Sequence, residues 1–166
     1  MGYESLTQQN PLRVLNMGRD NNQMGLVVAR AGLGKTALLV QIALDAILRG
    51  RRVIHVSIGQ GIDKTKAWYD DILQLILNEH SVAHPHELIE MVACHRMIMT
   101  FQAASFSRSR LEERLNDLIL QDIFRPNCLI VDGFDFSSAN REEVEDLKNL
   151  MEVMNLQSWF SATRHR

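Results

Sequence analysis

The sequence predicts an α/β fold in which a parallel sheet of about five strands carries helices on both faces. Three observations lead there. Short β-prone apolar runs alternate along the chain with longer segments of helical periodicity, the pattern of βαβ units. The run Cys128-Leu-Ile-Val-Asp132 is apolar without alternation, as in a strand covered on both sides. A third run, Leu26-Val-Val28, passes through a glycine-bearing loop straight into the strong helix formers of Ala37 to Leu48. With 166 residues, 46% of them hydrophobic, the chain can build one real core. One domain is therefore expected over residues 25–166, behind a polar N-terminal arm of residues 1–24 with an apolar patch at Leu12, Val14, Leu15 and Met17.

The first helix should end at Arg49-Gly50, a basic last turn followed by a glycine suited to a left-handed cap. Val53-Ile-His-Val-Ser-Ile58 alternates like a strand and is closed by Gly59-Gln-Gly61. Asp63 is placed to cap the next helix, with Trp68, Ile72, Leu75 and Ile76 on its apolar face. Pro85 suits the first turn of a further helix with Leu88, Ile89 and Val92 inward, and Met97-Ile-Met-Thr-Phe101 reads as the third strand. Ser107 precedes a helix carrying Leu111, Leu115, Leu118 and Ile119, broken by Pro126. After the Cys128–Asp132 strand, Asn140 with Glu143 three residues on forms a capping box for a helix bearing Val144, Leu147, Leu150, Met151 and Met154. Ser158-Trp-Phe-Ser-Ala-Thr163 is the fifth strand.

The first strand–loop–helix unit also carries chemistry. Ala29-Arg-Ala31-Gly32-Leu33-Gly34-Lys35-Thr36-Ala37 has the order of a phosphate-binding P-loop. Glycines let the main chain wrap an anion, and the N–H groups from Ala31 to Ala37 at the helix start face it with the helix dipole behind them. Lys35 supplies a cation for the β- and γ-phosphates, and the Thr36 hydroxyl is placed to ligate a magnesium ion. Ala29 stands where the GxxxxGK[ST] pattern begins with glycine, and the plain alternative is a glycine turn before a core helix. Magnesium held by Thr36 needs a carboxylate at the end of a neighbouring buried strand, and Asp132 fits. Its plain alternative is a turn-capping aspartate. Asp135 is either a group behind the metal ligands or a turn former.

With these residues in place, the chain resembles the RecA-like branch of P-loop NTPases, nearest to DnaB-type helicase and KaiC-type ATPase domains. The similarity runs over about residues 25–165. The resemblance implies Mg-ATP as ligand, with Lys35 on the phosphates and Thr36 and Asp132 on the metal. It also implies that the Asp132 strand and the terminal strand lie beside the P-loop strand. The family's catalytic glutamate follows its second strand, where this chain has Gly59 and then Gln60; Gly133, not an acid, follows Asp132; and Ser161-Ala162 replaces the family's Ser-Gln pair. A missing general base is worth roughly 10²–10⁴ in rate. The expected activity is thus an ATPase of low intrinsic turnover, with Gln60, Asp63 or Asp135 standing in. The alternatives are a nucleotide-gated binding module without turnover and a DNA- or RNA-handling motor.

A net charge of −2 advertises no nucleic-acid surface beyond the local cluster Arg49, Arg51 and Arg52. Cys94 and Cys128 read as two buried thiols of a reducing cytoplasm. No leader is visible in Met1 to Leu6, and no apolar run reaches membrane-spanning length. His80, His84, His86, Cys94 and His95 lack zinc-site spacing, the histidines around Pro85 read as surface residues, and Arg108, Arg110 and Arg114 read as a salt-bridged solvated face. Leu26-Val-Val-Ala29 is expected to leave an apolar sheet edge for the N-terminal arm, a second copy or another protein, and in an oligomer Arg164 or Arg166 would reach a neighbour's γ-phosphate.

Overall fold

A computed structural model describes residues 3, 6, 24–30 and 34–164. Five strands form one all-parallel sheet: β1 (Met24–Arg30), β2 (Val53–Ile58), β3 (Arg96–Phe101), β4 (Cys128–Asp132) and β5 (Gln157–Arg164), in the order β1-β5-β4-β2-β3. The connecting helices are α1 (Lys35–Leu48), α2 (Ile62–Glu79), α3 (Pro85–His95), α4 (Arg108–Leu120) and α5 (Arg141–Val153). A 3-10 turn, Ala103–Ser105, precedes α4.

The core has two halves, one on each side of the sheet. Helices α1, α2 and α3 pack on Val53, Cys128 and Ile130, and α4 and α5 pack on Ile54, Val56, Leu129, Val131 and Phe160. Odd and even residues of a strand face opposite ways, so a strand in this position must be apolar on both sides. That is why β4 reads as an unbroken apolar run. Nine of the fourteen residues of α1 are buried, consistent with a helix apolar around most of its circumference. The charge of one of them, Asp45, is met by Arg49 at 2.9 Å.

Several expectations need correcting. The Asp132 strand does not border β1: the terminal strand β5 lies between them, so residues from β5 reach the ground between the Gly34–Thr36 turn and Asp132. Strand β2 forms as expected and is buried along its whole length, since α2 places Tyr69 and Thr65 to receive the polar side chains of His55 and Ser57. Gly61, not Asp63, is the N-cap of α2. The buried face of that helix is Thr65, Tyr69, Ile72 and Leu73; Leu75 is 57% exposed, and Trp68 is half-buried. The stripe is turned by about one position, which leaves Trp68 in a wall of the cleft described below. On α3, Leu88 and Val92 face inward and Ile89 is exposed. Helix α4 ends at Leu120, well before Pro126, where Asp122 turns to φ 56°. Cys94 lies on the outer side of α3 and is exposed, whereas Cys128 is buried.

Local signals elsewhere match. Gly50 takes φ 87° after α1, Pro85 opens α3, and the side chains of Ser107 and Asn140 accept from the third N–H of α4 and α5. The arm lies outside the described residues apart from Tyr3 and Leu6, which pack on the α1 side of the core, and Met24, which belongs to β1. Among the described residues no strand pairs with the outer side of β1, where Leu26 is 48% and Val28 57% exposed. No described helix is long and apolar enough to cross a membrane.

Candidate functional site

The carboxyl ends of β1, β4 and β5 and the start of α1 meet at one edge of the sheet, where ligands of open α/β folds collect. Gly34 takes φ 74°, a left-handed backbone that turns the chain into α1. No side chain caps that helix. Its first N–H groups have no partner within the helix and point out of its N-terminus, a donor array suited to an anion.

Lys35 and Thr36 are the first two residues of α1. The Lys35 ammonium donates to Thr163 Oγ1, and Thr36 Oγ1 donates to Asp132 Oδ2 at 2.6 Å. The other carboxylate oxygen, Asp132 Oδ1, accepts from Ser161 Oγ at 2.9 Å, and that hydroxyl accepts from the Gly133 N–H at 3.2 Å. Asp132 is buried, yet no described Lys, Arg or His lies within ion-pair distance of it. Two hydroxyl donors give each of its oxygens one partner but leave its charge without a counter-ion among the described residues. A carboxylate beside a hydroxyl, both hard oxygen donors, is a donor set that fits magnesium.

These groups open on a cleft of about 740 Å³. Lys64 and Trp68, one turn apart on α2, form one wall together with Gln60 just ahead of the helix, and the segment from Gly133 to Ser137 forms another. Phe134 anchors that segment through edge-on contacts with Phe106, Phe136 and Phe160, centroids 5.8, 4.7 and 6.2 Å away. Asp135 spends its carboxylate within the same loop, accepting from Ser137 Oγ at 2.5 Å and Ser138 Oγ at 2.6 Å. Those bonds lower its pKa to about 2, which makes it a poor proton acceptor at neutral pH. Asp63 is exposed in the first turn of α2 and is not part of the cleft wall. Gln60 is, and its Oε1 is buried without a hydrogen-bond partner.

Both positions where an acid was sought are glycines with left-handed backbones. Gly59 has φ 80°, and Gly133 has φ 100° with no room for a side chain, since a Cβ there would stand 2.4 Å from Ile58 O. Gly59 faces a second depression, of about 550 Å³, which Gln60 separates from the cleft. Arg114 borders it, exposed on α4 but donating to Thr100 O at 2.6 Å and lying 4.1 Å from the Phe101 ring centroid, while Arg108 on the same helix pairs with Glu112 at 3.5 Å as a salt-bridged face would.

Beneath the cleft, His55 Nδ1 is 2.7 Å from Tyr69 Oη, and Nε2 is buried without a partner. Burial holds the imidazole neutral, lowering its pKa to about 4; the Asp132 charge opposes that shift and Arg96 adds to it. Burial raises the Tyr69 hydroxyl as well.

Of the residues singled out from sequence, Gly34, Lys35, Thr36, Gln60, Asp132 and Asp135 surround this cleft, and Ala37 follows in the first turn of α1. Ala31, Gly32, Leu33, Arg166 and the side chain of Arg164 lie outside the described residues. Sequence reasoning missed Ser161 and Thr163 as partners of Asp132 and Lys35, and missed Lys64 and Trp68. The signal for the first pair is two hydroxyls spaced by two at the end of a core strand, hence on one face; for the second it is their own four-residue spacing on α2. No protein-family model matches the chain, and no curated protein is significantly similar to it.

Proposed function

We propose that this chain is a RecA-like P-loop domain that binds Mg-ATP and hydrolyses it slowly. The observation that carries the proposal is the meeting of Thr36 and Asp132 at 2.6 Å, from segments 96 residues apart, beside Lys35 and the uncapped start of α1. The position of β5 beside β1 supports the same reading. In it, the N–H groups of the turn and of α1 cradle the phosphates, Lys35 leaves Thr163 for the β- and γ-phosphates, and Thr36 and Asp132 hold magnesium. When bound, magnesium neutralises phosphate charge and fixes the orientation of the phosphate chain. Gln60 has the free amide oxygen and the position to orient a water, but an amide is no general base, so turnover is slow.

The second reading, a nucleotide-gated binding module without turnover, is favoured by Gly59 and Gly133, whose backbones leave no unstrained place for an acid. The exposed Leu26 and Val28 on β1 support a protein partner or a second copy at that edge under either reading. Nucleotide titration of the parent protein and of Lys35→Ala and Thr36→Ala tests the proposal. Both variants should lose at least tenfold in Mg-ATP affinity while keeping the parent's circular dichroism. Unchanged affinity in both rejects it, and phosphate release under saturating Mg-ATP separates the two readings.

A further inference from the structure

The α2 wall of the cleft carries a cation that the proposed machinery leaves unused. Lys64 lines the same space as Lys35, Thr36 and Asp132, and it makes no hydrogen bond or ion pair among the described residues. Helical geometry explains why. Its neighbours three and four positions on are Ala67 and Trp68, and the residues three and four before it precede the helix, so no acid stands beside it along α2, whereas Lys66 has Asp63 and Asp70 at those spacings. Nor do the acids across the cleft call for it. Asp132 is bonded by Thr36 and Ser161, and Asp135 by Ser137 and Ser138. An unpaired ammonium facing a cleft with a P-loop-like turn on its other side has one obvious class of partner, an anion held between the two walls.

Resting on the nucleotide reading, we infer that Lys64 is the residue by which this cleft distinguishes a nucleoside triphosphate from a diphosphate. A phosphate chain held at the α1 N-terminus, with its terminal group toward Asp132 and the α2 side of the cleft, would bring the last phosphate of a triphosphate nearer to Lys64 than that of a diphosphate. At the end of β2, where a hydrolase of this class would set an acid, the chain has glycine followed by Gln60 and, in the first turn of α2, a cation. The wall is built to hold the terminal phosphate and read its presence. An exposed ammonium on phosphate contributes about tenfold in affinity after solvent screening.

Trp68, on the same wall, supplies a fluorescence readout. Affinities of the parent, Lys64→Met, Lys64→Arg and Lys35→Ala for the β,γ-imido analogue of ATP and for ADP, each with magnesium, test the inference. Lys64→Met should weaken the triphosphate analogue about tenfold and ADP less than twofold, and Lys64→Arg should retain most of the parent's preference. Equal effects of Lys64→Met on both nucleotides, or no effect on either, overturn the role of Lys64 even where Lys35→Ala abolishes binding. Parent-like affinity in Lys35→Ala, or no binding of either probe by the parent, overturns the nucleotide reading and the inference with it.

Discussion

Replacing Gly133 by alanine should be among the most damaging single-methyl additions in this protein. Its φ of 100° lies where L-residues are strained, and a Cβ would stand 2.4 Å from the carbonyl oxygen of Ile58, at the end of the neighbouring strand β2. A left-handed backbone costs a non-glycine residue roughly 1–2 kcal/mol. The contact adds roughly 1–3 kcal/mol, because neither strand end can move without disturbing Asp132 on one side or Ile58 on the other. The sum is about 2–5 kcal/mol, and for a domain of this size each kcal/mol lowers Tm by about 2–4 °C. A fall of about 10 °C follows. Gly59→Ala isolates the first contribution, since φ is 80° but nothing lies within 4 Å of the added carbon, and its Tm should fall by only about 3–6 °C. Thermal unfolding followed by far-ultraviolet circular dichroism measures both. Equal losses, or a Gly133→Ala variant within 2 °C of the parent, would show that the β2–β4 strand ends relax freely and that sterics do not keep an acid from following Asp132.

Three further outcomes are expected. The pKa of His55 is lowered from 6.5 to about 4, so the unfolded chain takes up the proton first. Its contribution is complete above pH 6.5 and declines by about 3 kcal/mol as pH falls to 4; denaturant midpoints of parent and His55→Gln with the same slope through that window would refute this. Cys94 is exposed, while Cys128 is buried with its thiol pushed up to about 12; a thiol reagent should therefore label one site in the folded protein and two after denaturation, and rapid labelling of both would contradict the fold. Asp132→Asn should abolish most of the gain in nucleotide affinity that magnesium confers, and an equal response of variant and parent to a chelator would reduce Asp132 to a turn residue.

Features that depend on neighbours along the chain are legible in the sequence. The β-prone and helix-prone runs, the Gly50 cap, the Pro85 start and the Asn140 cap are local, and so is the Gly34-Lys35-Thr36 turn into α1. The burial of β4 is legible too, because an unbroken apolar run has no polar side to turn outward. Tertiary structure alone decided the rest. The insertion of β5 between β1 and β4 brings Ser161 to Asp132 and Thr163 to Lys35, and strand order leaves no trace in periodicity. The alternation of β2 does not say what its polar side meets, and only the arrival of Tyr69 and Thr65 from α2 lets His55 and Ser57 be buried. The same helix turns Lys64 and Trp68 into the cleft wall, an orientation set by how it packs on the sheet and not by its own hydrophobic stripe. Gly59 and Gly133 read in sequence as missing acids; the backbone gives each a positive φ that favours glycine, and at Gly133 alone the Ile58 carbonyl, brought close by the pairing of β2 and β4, also leaves no room for a side chain.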